Sequence, residues 1–230
     1  ASISFGEGVT SIGAHTCNCW PYDCKNLTSI MIASTVETIG ASAFYFCSEI
    51  TYVRIGDGVK TIGDSAFSAC SKLASVYLPS SLQQIGNHAF DYCRLLGKLN
   101  PVVLPSSCES IGDWAFSVCT NLGKIQFGSG LKSIGVGAFS LCEALEKIDL
   151  SGCTGLESIG TGAFEDLNIV SVALAGPVAI GSSAFSGCEN LRNIQLGQCK
   201  SIDYLAFSGC SALSALVLPA TLESIGNSAF

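Results

Sequence analysis

The sequence contains few charged residues, and those present are mainly acidic. Charged side chains make up 13% of the 230 residues, with 11 Lys and Arg against 18 Asp and Glu, so the formal net charge is −7. Binding to nucleic acid requires Lys and Arg side chains that neutralise phosphates. A nucleic-acid partner is therefore not expected. The chain also lacks any run of about 18 apolar residues, so no membrane-spanning segment is predicted.

Histidine, a frequent catalytic residue, occurs only at His15 and His88. The sequence has no G-x-S-x-G motif of hydrolases, no Walker motif and no G-x-G-x-x-G dinucleotide-binding fingerprint. These absences argue against an enzyme, and no cofactor is expected. Asp64 and Asp113, which follow glycines, are interpreted as capping and turn residues rather than as general acids.

What the sequence does contain is a repeated segment. Ile-Gly recurs at nine periodically spaced positions, and a tenth copy at Ile202 has Asp203 in place of the glycine. Successive copies are 27, 23, 23, 26, 23, 25, 21, 22 and 23 residues apart, which indicates a 23-residue repeat with small insertions and deletions. Nine copies also have a phenylalanine five residues after the isoleucine. These are Phe44, Phe67, Phe90, Phe116, Phe139, Phe164, Phe185, Phe207 and Phe230.

Each repeat approximates L-x-x-I-x-L-P-x-x-L-x-x-I-G-x-x-A-F-x-x-C. Its first part, as in residues 74–79, alternates apolar and polar residues and predicts a short strand. The glycine suits a turn that needs either positive φ or close approach of two backbone segments. The next stretch, as in residues 64–70, begins with a capping residue and predicts one helical turn.

One repeat cannot bury its own apolar side chains, so neighbouring repeats must stack to form a continuous core. The sequence therefore predicts an α/β repeat solenoid with one strand per repeat, in which residues 1–230 form a single domain of about ten repeats. Because the chain begins and ends in the middle of a repeat, we interpret it as part of a longer protein.

The repeat resembles the leucine-rich repeats of the BspA-like family, which carry the signature L-x-x-I-x-L-P-x-x-L-x-x-I-G-x-x-A-F. The resemblance covers essentially all 230 residues of this chain. This resemblance implies a right-handed superhelix with a parallel β-sheet on its concave face and short helical turns and loops on its convex face. It also implies a secreted or cell-surface protein that adheres to protein ligands, such as host or extracellular-matrix components.

A cysteine follows the repeat phenylalanine by three residues in most copies. We interpret these cysteines as small apolar core residues with a weak S–H donor, because Leu167 occupies the same position in one repeat. A ladder of disulfides between repeats is the alternative, although equivalent side chains of stacked repeats point the same way and not toward each other. The cysteines concerned are Cys47, Cys70, Cys93, Cys119, Cys142, Cys188 and Cys210, with Cys24 placed at this position in the first repeat.

The first repeat contains a denser group, with His15, Cys17, Cys19 and Cys24 inside ten residues. These four residues are as many ligands as a zinc site requires. However, zinc sites usually take their ligands from two closely spaced pairs, and only the one C-x-C pair is present here. A local disulfide and unmodified thiols are the two other interpretations. The sequence leaves these three possibilities open.

The predicted strands also indicate a candidate binding surface. In L-x-x-I-x-L the apolar strand residues face the core, so the residues between and before them face outward. Most outward residues are small or polar, but one group consists of types enriched at protein interfaces. This group is Met31, Tyr52, Arg54, Tyr77 and Val103.

Two functions agree with these observations. The first is a non-catalytic binding or adhesion module that presents the sheet to protein ligands. The second is a structural spacer within a larger surface protein, with function elsewhere. In the second case the outward group would only stabilise the sheet through cross-strand pairs.

Overall fold

The structure is a computed structural model that describes residues 1–19, 24 and 26–230. Short strands and turns account for the regular structure of these residues, and none of them is helical. In chain order the strands are β1 (Ser2–Ser4), β2 (Ser11–Ile12), β3 (Ser29–Met31), β4 (Thr38–Ile39), β5 (Tyr52–Arg54), β6 (Thr61–Ile62), β7 (Ser75–Tyr77), β8 (Gln84–Ile85), β9 (Val102–Val103), β10 (Ser110–Ile111), β11 (Ile125–Gln126), β12 (Ser133–Ile134), β13 (Lys147–Leu150), β14 (Ser158–Ile159), β15 (Ser171–Leu174), β16 (Ala179–Ile180), β17 (Asn193–Gln195), β18 (Ser201–Ile202) and β19 (Ser224–Ile225).

Each repeat thus contributes up to two strands, where the sequence predicts one. The two-residue strands that end at the repeat isoleucine form one continuous parallel sheet of ten strands, in the order β2-β4-β6-β8-β10-β12-β14-β16-β18-β19. We call this sheet the Ile-Gly ladder. The predicted strands form three separate parallel sheets, β1-β3-β5-β7, β9-β11 and β13-β15-β17. In the last repeat the equivalent segment, which contains Ala215 and Val217, is not a strand.

From the second repeat onward, the glycine after the repeat isoleucine is required by close packing against the preceding repeat. The glycines of this position have no positive φ, but a Cβ on Gly135 would lie 2.5 Å from the backbone N of Asp113 and 2.5 Å from the C of Gly112 in the preceding repeat. Gly40 is equally close to the first repeat. Of the two reasons offered by the sequence, close approach of the backbones is therefore the correct one.

This packing gives a prediction with an internal control. We expect Gly135→Ala to lower the free energy of unfolding by about 1–3 kcal/mol, since overpacking forces the backbones apart. Gly13 has the same position in the first repeat, where a Cβ would meet only the Thr16 Oγ1, at 3.8 Å. Gly13→Ala should therefore change stability by less than about 0.5 kcal/mol. Urea unfolding of both variants measures the difference, and equal effects would contradict the explanation.

The helical turns predicted after the glycine, on the convex face, are wrong. In residues 64–70, Ser65, Phe67 and Ala69 donate their N–H groups to carbonyls of the next repeat, whereas the residues between them donate to a carbonyl three residues earlier. Beyond its first four residues a helix bonds each N–H to a carbonyl of its own segment, and Ala69 does not. Ser65 and Ala69 also have φ values of 55° and 59°. This left-handed conformation, repeated twice in most repeats, cannot be part of a right-handed helix.

The core contains a continuous stack of the repeat phenylalanines. From Phe44 to Phe230 each ring lies 5.1–5.6 Å from the next between centroids, with interplanar angles of 13° or less. All of these rings except the last are buried. The repeat isoleucines and alanines lie beside them in the same cluster. The stack therefore joins the interiors of successive repeats.

The cysteines after each phenylalanine form a second line of contacts through the core. The seven that follow a repeat phenylalanine are buried and are not in a disulfide, which confirms the prediction of core packing for them. For Cys24 the prediction is wrong, since it is half-buried and joined to Cys19 in a disulfide. Six of the seven thiols donate to the carbonyl of the phenylalanine in the preceding repeat at 3.1–3.3 Å, whereas Cys47 donates to the Cys17 carbonyl. These six are Cys70, Cys93, Cys119, Cys142, Cys188 and Cys210.

Candidate binding surface

Four of the five predicted binding residues lie on three neighbouring strands. Met31 on β3, Arg54 on β5 and Tyr77 on β7 occupy the same register position, so they form one row across the sheet. Tyr52 lies two residues before Arg54 on the same strand. The fifth residue, Val103, lies on β9. The exposed fractions of Met31, Tyr52, Tyr77 and Val103 are 49%, 39%, 46% and 48%, so all four are accessible to a partner.

Arg54 holds the centre of this row. Its guanidinium carbon lies 5.4 Å from the centroid of the Tyr77 ring, which is a cation–π contact. Among the residues that the structure describes, Arg54 makes no ion pair. The Arg54 side chain starts on β5, and its guanidinium lies over the Tyr77 ring on β7. A cation that forms no ion pair among the described residues thus lies beside an exposed aromatic ring.

The structure divides the predicted residues between two adjacent grooves. One groove, of about 560 Å³, has Tyr52, Tyr77 and Val103 in its walls together with Pro101 and Pro105. The other, of about 550 Å³, is lined by Met31 and Arg54 and by two acidic residues, Glu7 and Asp57. Both volumes fall in the range of roughly 300–1,000 Å³ that is usual for ligand sites. We refer to the first, which is lined by Tyr52, Tyr77, Pro101, Val103 and Pro105, as the tyrosine groove.

The tyrosine groove lies where the sheet of longer strands is interrupted. Strand β7 is the last strand of its sheet and β9 begins another. The repeat that contains β9 is longer than its neighbours, at 26 residues, and carries Pro101 directly before the strand. Proline has no N–H to donate to a neighbouring strand. Sequence analysis missed this interruption, although the longer spacing and the proline were its signal.

The cysteines of the first repeat form a different group from the one predicted. Cys19 and Cys24 are joined in a disulfide, and the Sγ of Cys47 lies 3.2 Å from that of Cys19. The three sulfur atoms are all within 4.8 Å of one another. His15 instead contacts Asn18, with 3.3 Å between Nδ1 and Nδ2. The local disulfide is therefore the correct interpretation of this segment, and residues 20–23 and 25 lie outside the described part of the chain.

Stacked 23-residue repeats, parallel strands along one side and an exposed row of interface-type residues define a leucine-rich repeat protein. The chain belongs to the family described as "BspA type Leucine rich repeat region", which matches it in six copies over residues 1–100, 96–175 and 144–230. No curated protein matches the sequence. No helix among the described residues is long and apolar enough to cross a membrane.

Solved structures of bacterial proteins share the fold. A leucine-rich repeat protein from Bacteroides ovatus is 26% identical, with a TM-score of 0.62, and the match covers 98% of this chain and 70% of that one. The T. pallidum leucine rich repeat protein is 27% identical, with a TM-score of 0.55 and coverage of 80% and 77%. A leucine rich cell surface protein from Faecalibacterium prausnitzii is 23% identical, with a TM-score of 0.63 and coverage of 100% and 78%.

Proposed function

We propose that this chain is a non-catalytic protein-binding module and that it contacts its partner through Met31, Tyr52, Arg54, Tyr77 and Val103. The observation that carries the proposal is the half-exposed Tyr77 ring, held under the Arg54 guanidinium beside an open groove. Tyrosine and arginine supply most of the binding energy at many interfaces. Because the rest of the outward strand residues are mostly small or polar, contact energy should concentrate here.

Cell-surface or secreted localisation is part of the proposal, with a host or extracellular-matrix protein as the partner. It is supported by membership of the BspA type repeat family and by the description of the F. prausnitzii protein of the same fold as a cell surface protein. A spacer array is the second candidate function, favoured by the polar outward residues of most other strands. The two functions differ in one testable respect, which is whether Tyr52 and Tyr77 contribute to the binding of a protein partner.

The double variant Tyr52→Ala with Tyr77→Ala tests the binding function. We expect it to weaken capture of a protein partner at least tenfold, equivalent to about 1.4 kcal/mol. Thermal stability should change little, since each lost cross-strand pair contributes only about 0.2–1 kcal/mol. The partner is first isolated with the wild-type chain from extracellular-matrix extracts, and its affinity for each variant is then measured by surface plasmon resonance.

Tyr204→Ala is the matched control, because Tyr204 is similarly exposed but lies on the side of the Ile-Gly ladder, directly after Asp203. It should bind the partner as well as wild type. A partner that binds the double variant with unchanged affinity would remove this surface as the contact site. Failure to retain any partner would favour the spacer function.

A further inference from the structure

Cys19 departs from the pattern that the other repeats follow. Its N–H donates to the Tyr45 carbonyl of the next repeat at 2.9 Å, and the N–H of Tyr92 makes the same bond to the Ser117 carbonyl, also at 2.9 Å. The two donating residues therefore occupy equivalent positions. Tyr92 is exposed there, whereas Cys19 is buried. The side chain of Cys19 is thus directed toward the core, where the cysteines of the repeats lie.

Two further cysteines lie within reach of Cys19. Leu27 donates its N–H to the Cys24 carbonyl at 3.0 Å. In the second repeat Ile50 makes the same bond to the Cys47 carbonyl at 3.2 Å, so Cys24 and Cys47 occupy the same position of successive repeats. Cys19 is joined to Cys24 in the disulfide, and its Sγ lies 3.2 Å from that of Cys47. All three sulfur atoms lie within 4.8 Å of one another. Cys19 therefore has one cysteine neighbour in its own repeat and one in the next.

Three sulfur atoms in this arrangement allow thiol–disulfide exchange. Cys47 carries a thiol, and a thiolate can attack one sulfur of a neighbouring disulfide and displace the other. Attack of Cys47 on the Sγ of Cys19 forms a bond between these two residues, breaks the bond to Cys24 and leaves the electron pair on Cys24. Cys47 loses a proton to solvent and Cys24 takes one up, so the exchange requires no external oxidant or reductant.

Burial determines the direction of this exchange. Cys47 is fully buried, which disfavours its thiolate. However, its Sγ is held beside that of Cys19, and such proximity offsets a small reactive fraction. Cys24 is half-buried and lines a groove of about 700 Å³. The departing negative charge therefore forms on a cysteine that is accessible to solvent, which costs less than forming it on the buried Cys19.

The groove beside Cys24 can hold a small molecule. Its volume lies in the range of roughly 300–1,000 Å³ that is usual for ligand sites. Its lining includes His15, Cys17 and Asn26, and among the described residues that form its walls none is acidic. An anionic compound would therefore meet no carboxylate of these residues. A thiol released at Cys24 would lie in the wall of this groove.

We propose that Cys19, Cys24 and Cys47 form a thiol–disulfide exchange site, at which the disulfide moves from Cys19–Cys24 to Cys19–Cys47 and Cys24 becomes a covalent attachment site for small disulfide compounds. The Cys24 thiolate attacks one sulfur of such a compound, forms a mixed disulfide with it and displaces the other half as a thiolate. The new Cys19–Cys47 bond joins the first repeat to the second. This inference is independent of the proposed function, because none of the three cysteines belongs to the binding surface.

Glutathione disulfide, an anionic compound of this class, is the probe. The native chain is incubated with it at about pH 8, where thiolates begin to form, and the reaction is stopped with acid. N-ethylmaleimide at mildly acidic pH then blocks the remaining thiols before digestion with trypsin. The first two tryptic peptides span residues 1–25 and 26–54. Cys19 and Cys24 lie in the first peptide and Cys47 lies in the second. We expect mass spectrometry to find glutathione on Cys24 in molecules whose two peptides are joined through Cys19 and Cys47.

Two variants locate the reaction. Cys47→Ala should slow attachment of glutathione to Cys24 at least about tenfold, because the attacking thiol is absent. Cys70→Ala is the matched control, since Cys70 is the equally buried cysteine of the next repeat, and it should react as wild type does. Three results would each overturn the exchange site: retention of the Cys19–Cys24 bond in wild type, peptides joined through Cys24, or equal rates for wild type and Cys47→Ala. If Cys47→Ala does not fold, the joined peptides of the wild-type chain decide the question alone.

Discussion

Raising the pH from about 8 to 11 is expected to unfold this protein far more steeply than a protein without buried thiols. Burial raises the pKa of Cys210 and Cys108 to about 11 and that of Cys188 to about 12. Burial raises the pKa of the Cys70 and Cys119 thiols as well, with a smaller contribution from neighbouring cysteines along the stack. In the unfolded chain these thiols titrate near 8.5.

The sign follows from the number of bound protons. Above about pH 8.5 the unfolded chain has released its thiol protons while the folded chain still holds them, so the folded state binds more protons and stability falls as pH rises. The contribution of each thiol is fully present below pH 8.5 and disappears as pH rises through the folded pKa. Each such thiol lowers the free energy of unfolding by about 1.4 kcal/mol per pH unit in this window. Because several thiols titrate together, the combined effect is expected to exceed the stability of a typical domain.

Urea unfolding in the presence of a reductant, at intervals between pH 7.5 and 10.5, measures this slope. The variant Cys93→Ala with Cys119→Ala is the control, since burial also raises the pKa of Cys93 and lysine and tyrosine titration is common to both proteins. Its slope should be smaller by about 1.4 kcal/mol per pH unit for each thiol removed, although its stability at pH 7 is lower. Identical slopes for the two proteins would show that these thiols do not govern the alkaline transition.

The repeat period was sufficient to predict the core from the sequence. Because equivalent residues of stacked repeats occupy equivalent sites, the periodic isoleucine, phenylalanine and cysteine positions proved to be buried, except for Cys24 in the first repeat and Ile225 and Phe230 in the last. Alternation in the short strands likewise predicted that Tyr52 and Arg54 face outward. These features depend on residue type and spacing alone.

Other features depend on contacts that the spacing does not specify. A positive φ is usually expected at glycine, but here it occurs at Ser65, Ala69 and Tyr92, where bonds to the next repeat maintain it. The predicted helical turn was wrong for this reason. The tyrosine groove was missed because it depends on the loss of pairing between β7 and β9. That loss arises from how the inserted residues before β9 pack against the preceding repeat, which the repeat spacing does not specify. The group of Cys19, Cys24 and Cys47 was missed because Cys47 belongs to another repeat.

Replacing a phenylalanine in the middle of the stack is expected to cost about 3–5 kcal/mol, as for other large core residues truncated to alanine. Phe116 lies 5.3 Å from the Phe90 ring and 5.4 Å from the Phe139 ring, between centroids, and is fully buried. Phe230 stacks on one ring only and is 53% exposed. Phe230→Ala should therefore cost less than about 1 kcal/mol. Thermal and urea unfolding compare the two.

The position of Phe116 also makes a difference to cooperativity. It lies next to the first of the two interruptions of the longer strands, so the Ile-Gly ladder, the phenylalanine stack and the bond from Cys119 to the Phe90 carbonyl remain among its contacts with the preceding repeat. In a linear array each repeat is coupled to the rest only through its neighbours. Phe116→Ala should therefore let the N-terminal and C-terminal repeats unfold separately, which broadens the urea transition and lowers its apparent m-value. Phe67→Ala, within the continuous sheet β1-β3-β5-β7, should cost as much but keep one sharp transition. Equally sharp transitions for Phe116→Ala and Phe67→Ala would show that the interruptions do not weaken the coupling between repeats.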